Sequence, residues 1–253
     1  MANELNLTVA SVGAETGALL RQYLEARGLT MRWDAGVGVC YGQDCAQEVG
    51  LNKACSTNKM ERMELMKAAG VRMPHWFKAT DLDNEFSRLE RFLPVFARKS
   101  MSHGAKDLMP CFTLDEVRWR AAAGWDWFSK ILPIDAEWRV WVFRGEMLGV
   151  YKKVMRRPAE YVGMGRNFSQ GFEFAPQSWE DDAPLVEEAI AAVKAIGLDF
   201  AAVDLITTIG DDAWEVVPYV LEANTAPGVI RSGAQPTLAK LADKIVEWVR
   251  EQA

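Results

Sequence analysis

The chain has 253 residues, of which 49% are hydrophobic and 25% charged, enough apolar material for one substantial core or two small ones and too much for a disordered chain. With 29 Lys and Arg against 35 Asp and Glu the formal net charge is −6, which excludes a surface that attracts nucleic acid or anionic lipid as a whole and leaves room only for a local basic patch. Charges break every apolar run well before the roughly 18 residues of a membrane span, and the opening Met1-Ala2-Asn3-Glu4-Leu5 lacks the basic and apolar regions of an export signal, so a soluble, cytoplasmic protein without a membrane partner is expected.

In chain order, residues 5–11 read as a strand and 18–26 as a helix with Leu19, Leu20, Tyr23 and Leu24 on its apolar side, closed by Gly28. Short β candidates follow at 29–33 and 37–41, so the first 50 residues form a small βαβ layer. Gly13-Ala14-Glu15-Thr16-Gly17 lacks both the third glycine of a dinucleotide fingerprint and the Lys-Ser/Thr of a P-loop, and reads as a tight βα turn. Cys40, Cys45, Cys55 and Cys111 are expected as reduced thiols, and neither His75 nor His103 stands at zinc-ligand spacing from Cys40 and Cys45.

Residues 59–69 are a helix whose Met60, Met63 and Met66 recur at helical spacing, a core pattern rather than a copper site. A strand is expected at 76–79, a polar helix at 83–92, and another strand from Pro94 to Lys99. That strand delivers Arg98 and Lys99 into the polar loop of residues 100–107, an anion-binding pattern that is equally an ordinary edge strand ending in solvent. Cys111 reads as a small core residue and His103 as an exposed loop histidine.

Strands are expected at 127–132, 137–143 and 148–154, the last two joined as a hairpin, with Glu137, Arg139, Trp141 and Phe143 on one face. Residues 155–180 read as a basic loop carrying Arg156, Arg157 and Arg166, with Asn167 and Gly171. A helix at 183–196, strands at 200–207 and 219–223, and an amphipathic helix at 237–251 complete the chain.

Asp204 and Glu222 interrupt apolar β runs, where an unpaired carboxylate is costly. Glu222 and Asn224 are two residues apart and so share a strand face. If Asp204 faces Glu222 across an antiparallel pair, the midpoint falls at Ala213, inside a polar connection. Two carboxylates and an amide oxygen then converge, a donor set for a hard cation such as Mg²⁺. Taken singly, each of the three is as well explained as a strand-end cap; the whole arrangement, with separated cations upstream, points to a metal.

Several motifs now stand in order: Asn58-Lys59-Met60 with its helix, Pro94 to Lys99 with its loop, Glu137-Trp138-Arg139-Val140 through Lys152-Lys153, Asp204, and Leu221-Glu222-Ala223-Asn224-Thr225-Ala226-Pro227-Gly228. In this order they resemble the ATP-grasp ligases, the superfamily that includes D-alanine–D-alanine ligase, glutathione synthetase and the ribosomal-protein glutamate ligase. The short chain also resembles bacteriophage ATP-grasp proteins, which would place it in a host cytoplasm.

The resemblance implies an α/β ATP-grasp fold in which residues 1–75 form a pre-ATP-grasp segment. Residues 76–253 form the ATP-grasp domain, with an N-lobe at about 76–130 and a C-lobe at about 131–253. It implies that Asp204, Glu222 and Asn224 hold two Mg²⁺ ions, for which Mn²⁺ can substitute, and that Lys59, Arg98 or Lys99, and Lys152 or Lys153 meet the ATP phosphates. Strand parity allows only one of Arg98 and Lys99 to do so. Lys130, Ile131 and Leu132 resemble the hinge that reads adenine through its backbone, and Glu137 the acid that receives the ribose hydroxyls. Residues 100–107 would be a lid over the phosphates.

Arg139, Arg231 and the Arg156/Arg157/Arg166 group are candidates for orienting a substrate carboxylate or steadying an oxyanion, because guanidinium offers a fixed fork. The implied reaction joins a carboxylate to an amine through an acyl phosphate. A kinase of the same fold and a non-catalytic nucleotide-binding module are the alternatives. The substrates would be small molecules, peptides or proteins, with a nucleic-acid acceptor disfavoured by the negative charge, and a homodimer is compatible with the family.

Overall fold

The computed structural model of the chain describes residues 6–11, 14–32, 35–41, 49–53, 58–82, 89–100, 108–158, 166, 170–178, 183–209, 216–229 and 233–252. Its strands form three sheets. The first is parallel, with strand order β2-β1-β3-β4 in β1 (Asn6–Ser11), β2 (Thr30–Met31), β3 (Val37–Tyr41) and β4 (Val49–Leu51). Helix α1 (Ala14–Glu25) makes the crossover that a parallel pair requires. The helix begins at Ala14, so Glu15 to Gly17 belong to its first turn and not to a separate βα turn.

Helix α2 (Lys59–Ala68) starts where the Asn58 side chain accepts the Met60 N–H, and it buries Met63 and Met66, so the methionine stripe is core. The second sheet follows, antiparallel with order β5-β8-β6-β7: β5 (Trp76–Lys78), β6 (Val95–Arg98), β7 (Leu108–Cys111), then helix α3 (Leu114–Ala122) and β8 (Trp127–Lys130). Strand β7 and helix α3 were not expected, although Thr113 and Glu116 form a full capping box at the start of α3. The expected polar helix at 83–92 lies mostly outside the described residues, and Glu90–Phe92 is a single 3-10 turn.

The third sheet is also antiparallel: β9 (Ala136–Phe143), β10 (Glu146–Met155) and β11 (Phe172–Gln177), then helix α4 (Pro184–Ala195), then β12 (Phe200–Ile209) and β13 (Val216–Asn224). Its order is β11-β10-β9-β12-β13. Strand β11 occupies part of the segment read as a basic loop. Three prolines explain which strands lie outermost: Pro110 is in β7, Pro176 in β11 and Pro218 in β13, each at the edge of its sheet, where a missing N–H costs no ladder bond.

The two faces of this sheet pack differently. Trp138, Val140, Val142, Val203 and Leu205 lie under Leu185, Val186 and Ala189 of α4. On the other face Trp141, Phe143 and Phe200 pack with α1, the first sheet and the closing helix α5 (Gln235–Gln252). Helix α5 sits so close to β10 that a Cβ on Gly149 would lie 2.5 Å from Thr237 Oγ1. The first sheet is pinned to the third by buried Asn52, which takes a left-handed φ of 59°. Its side chain accepts the N–H groups of Asp199 and Phe200 and donates to the Phe200 carbonyl.

Among the described cysteines Cys111 is free and buried and Cys40 is disulfide-bonded, the latter correcting the expectation of a reduced thiol; Cys45 and Cys55 lie outside the described residues. Among the described residues no helix is long and apolar enough to cross a membrane.

Candidate functional site

Strand alternation and register build the site. Side chains of Glu137, Arg139, Trp141 and Phe143 leave one face of β9. The antiparallel register sets Arg139 beside Asp204 of β12, and Asp204 in turn beside Glu222 of β13, with Ala202 beside Asn224. The Asp204–Glu222 pairing is the one expected from a turn centred near Ala213; a bulge follows Asp204. Trp141 and Phe143 take the α5 end of this face into the core, while Glu137, Arg139, Asp204, Glu222 and Asn224 form a charged patch at the other end.

Each carboxylate there has a cationic partner. The Arg139 fork donates from Nε to Asp204 Oδ1 at 2.6 Å and from Nη2 to Oδ2 at 2.8 Å. Asn224 Nδ2 donates to the same Oδ2 at 2.9 Å. Lys153 Nζ is ion-paired with Glu137 Oε1, and Lys59, in the first turn of α2, places its Nζ 3.3 Å from Glu222 Oε2. The helix is seated on β13 by Arg62, which donates to the Ala223 carbonyl at 2.9 Å.

Two buried acids are driven apart by these surroundings. Burial pushes the Asp204 carboxyl up, but the Arg139 charge and hydrogen bonds, with Lys153 and Asn224, outweigh it and hold Asp204 below the usual carboxylate range. Burial also pushes Glu137 up, and there the charges of Lys153 and Arg166 do not overcome it, so Glu137 lies above that range.

Parity separates the residues that the sequence left as alternatives. Lys153 lies on the charged face, whereas Lys152 leaves the opposite one, 5.3 Å over the Trp138 ring. In β6, Arg98 is buried with its Nε donating to Ser129 Oγ at 3.0 Å and its guanidinium 5.0 Å over Trp127. Its charge is felt by Glu222 and Glu137, so the second sheet contributes a cation to the same patch. Lys99 is exposed and sits 5.4 Å over Trp125.

The Lys130 and Ile131 N–H groups are spent on the His75 and Pro94 carbonyls at 2.8 and 2.9 Å. Of the three N–H groups in this segment, that of Leu132 remains for a ligand edge. In the basic group, Arg166 acts on Glu137, Arg157 lies 3.9 Å from Glu173, and Arg156 is exposed. Gly171, at φ +83°, accepts both Arg156 and Arg157 N–H groups. A Cβ there would lie 2.1 Å from the Arg157 carbonyl oxygen, so only glycine closes this loop. Arg231, His103, Asn167 and residues 101–107 lie outside the described residues.

Phe174 on β11 escaped the sequence reading because its segment was taken as a loop. Its ring lies 4.4 Å beneath the Arg139 guanidinium and 5.3 Å from Lys153 Nζ, and the spacing of Phe172 and Phe174, two residues apart, was the available signal.

Among the described residues no group of three or more His, Cys, Asp and Glu side chains could hold a metal ion. The donor set here is instead two carboxylates and an amide, hard oxygens that fit Mg²⁺ completing its shell with water and phosphate. The two carboxylates already hold a guanidinium and an ammonium, so the protein's own cations stand where a divalent cation would be drawn.

Three sheets arranged in this way make an ATP-grasp fold. The structure is similar to the ATP-grasp ligase PsnB, solved with a phosphomimetic precursor variant, Mg and ADP, at 13% identity and TM-score 0.70, over 98% of this chain and 99% of that one. It is similar to D-alanine–D-alanine ligase from Bacillus anthracis complexed with ATP, at 16% identity and TM-score 0.67, over 100% of both chains. It is similar to the macrocyclase MdnC from Microcystis aeruginosa MRC bound to precursor peptide MdnA, at 11% identity and TM-score 0.63, over 95% and 99%. No curated protein matches the sequence. Residues 40–224 match the model of an ATP-grasp domain family, the third family of its clade, and the chain belongs to that family.

Proposed function

We propose that the protein is an ATP-dependent ligase that joins a carboxylate to an amine through an acyl phosphate. The observation that carries this reading is the convergence of Asp204, Glu222 and Asn224 with Lys59, Arg98, Arg139 and Lys153, drawn from α2 and two sheets, on one patch. Phosphoryl transfer demands little covalent chemistry of a protein and much positioning and charge stabilisation, which such a patch supplies.

In this reading Asp204, Glu222 and Asn224 hold Mg²⁺, with Mn²⁺ as a substitute, and the metal when bound neutralises and orients the ATP phosphates. Lys59, Arg98 and Lys153 meet those phosphates, Leu132 offers its N–H to adenine, and Glu137 receives the ribose. Arg139, with Arg231, orients the substrate carboxylate. A carboxylate oxygen attacks the γ-phosphorus and ADP leaves; the amine nitrogen then attacks the acyl carbon, inorganic phosphate leaves, and the nitrogen gives up a proton. We divide the chain into a leading unit at 1–75 and an ATP-grasp domain at 76–253, supported by the separation of the first sheet from the other two.

Precursor peptides in the PsnB and MdnC structures make peptides bearing carboxylate and amine side chains the first substrates to try, beside small carboxylates. The decisive assay adds hydroxylamine to enzyme, Mg-ATP and such carboxylates and measures hydroxamate and ADP together. Equal amounts of both, lost in Asp204→Asn, are expected. ADP with a stable phosphate ester would replace the ligase by a kinase, and no melting shift at millimolar Mg-ATP would remove the nucleotide site.

A further inference from the structure

Resting on the metal-site reading above, we propose that Arg139 is the built-in counter-ion of Asp204 and competes with a divalent cation for that carboxylate, so that the metal site stays shut in the nucleotide-free protein. The geometry is that of occupied, not idle, ligands. The Arg139 fork covers both oxygens of Asp204 at 2.6 and 2.8 Å, and Asn224 adds a third donor to Oδ2 at 2.9 Å. Both partners of the ion pair are largely buried, with side chains 14% and 9% exposed, so water screens the attraction little. A cation approaching Asp204 must therefore displace a bidentate, charge-assisted pair and not a hydration shell.

The guanidinium also has somewhere to remain. It lies 4.4 Å over the Phe174 ring, a contact that needs no carboxylate and holds the charge in the site after Asp204 is released. Lys59 on Glu222 is a weaker version of the same device, since its single contact is 3.3 Å long and its partners are 31% and 41% exposed. The two carboxylates should thus differ: Glu222 yields its cation readily, and Asp204 sets the threshold. Binding energy from the nucleotide side then opens the site, which couples metal to nucleotide.

The test measures Mn²⁺ alone, without nucleotide, by loss of the free-ion electron spin resonance signal, at mildly alkaline pH, on the wild type, Arg139→Gln, Arg139→Lys and Asp204→Asn. Arg139→Gln should bind Mn²⁺ about tenfold more tightly than the wild type, a coupling of ordinary size between competing ligands. Arg139→Lys keeps the charge but loses the fork, so it should fall between them, and it preserves the test if Arg139→Gln fails to fold. Asp204→Asn should lose the site. Equal or weaker binding by both Arg139 variants would overturn the proposal and leave Arg139 as a support that aligns Asp204. Repeating the titration with ADP separates the two failures: binding restored by ADP keeps the metal site and sinks only the competition, whereas none in any state sinks both.

Discussion

The two faces of the five-stranded sheet are written by alternate residues of the same strands, yet they obey different rules. Under α4, Val140, Val142, Val203 and Leu205 are fully or almost fully buried and touch only apolar neighbours. One residue away, Glu137, Arg139 and Asp204 are buried to nearly the same degree but are charged. The first face stabilises by area removed from water. The second does so only while every charge keeps its partner, because desolvation opposes each ion. Lys152 and Lys153 show the rule at single-residue resolution: neighbours in sequence, they lie over Trp138 on one face and beside Glu137 on the other.

The largest way to break this contrast is to unpair the charged face. Arg139→Ala leaves Asp204 buried without its cation and should cost about 3–5 kcal/mol of unfolding free energy, measured by urea denaturation. Replacing both partners, Arg139→Met with Asp204→Leu, should recover most of that loss, since apolar isosteres of a buried pair are often neutral. A double variant as unstable as the single one would show that the ion pair is a true net source of stability.

On the opposite face Leu205→Ala should cost about 2–5 kcal/mol, the range for emptying a buried leucine site. It should leave the melting shift produced by Mg-ATP intact, because the side chain points away from the carboxylates. The adjacent lysines sharpen the same division with a smaller effect. Lys153→Met should destabilise by about 1–3 kcal/mol through the unpaired Glu137 and weaken nucleotide binding. Lys152→Met should change stability by less than about 0.5 kcal/mol and nucleotide binding not at all.

Much of this was legible in the sequence because period-two alternation is local. Residues 137–143 announced which side chains share a face, and the spacing of Asp204 and Glu222 located their pairing around Ala213, as found. What stayed hidden depended on partners distant in the chain. Arg98 or Lys99, and Lys152 or Lys153, could be divided by parity into opposite faces, but which face met the carboxylates is decided by how one sheet docks on another. Phe174 was missed because β11, a short edge strand containing Pro176, reads locally as a loop, and its strand character comes from pairing with β10. Strand β7 carries Pro110 and escaped for the same reason, whereas the capping box at Thr113 was present and overlooked.

The smallest expected effect is the most discriminating, because the two buried acids should respond to pH with opposite signs. Asp204 titrates below its unfolded value of about 3.9, so the folded state holds its proton less tightly. Its contribution is fully present above that value and is lost as pH falls through the depressed folded pKa. Glu137 titrates above its unfolded value of about 4.3 because burial dominates. Its contribution is therefore fully present below that value and declines as pH rises through the raised folded pKa. Melting curves of wild type, Asp204→Asn and Glu137→Gln from acid to neutral pH should show the first gap widening with pH and the second narrowing, by about 1.4 kcal/mol for each tenfold difference in proton affinity between the folded and unfolded chains. Parallel gaps would mean that Lys153 neutralises Glu137 as completely as Arg139 does Asp204, and that the charged face is balanced pair by pair. Opposite slopes would leave Glu137 as the one carboxyl on this face held short of full compensation, and so the one most responsive to a ligand hydroxyl that can donate to it.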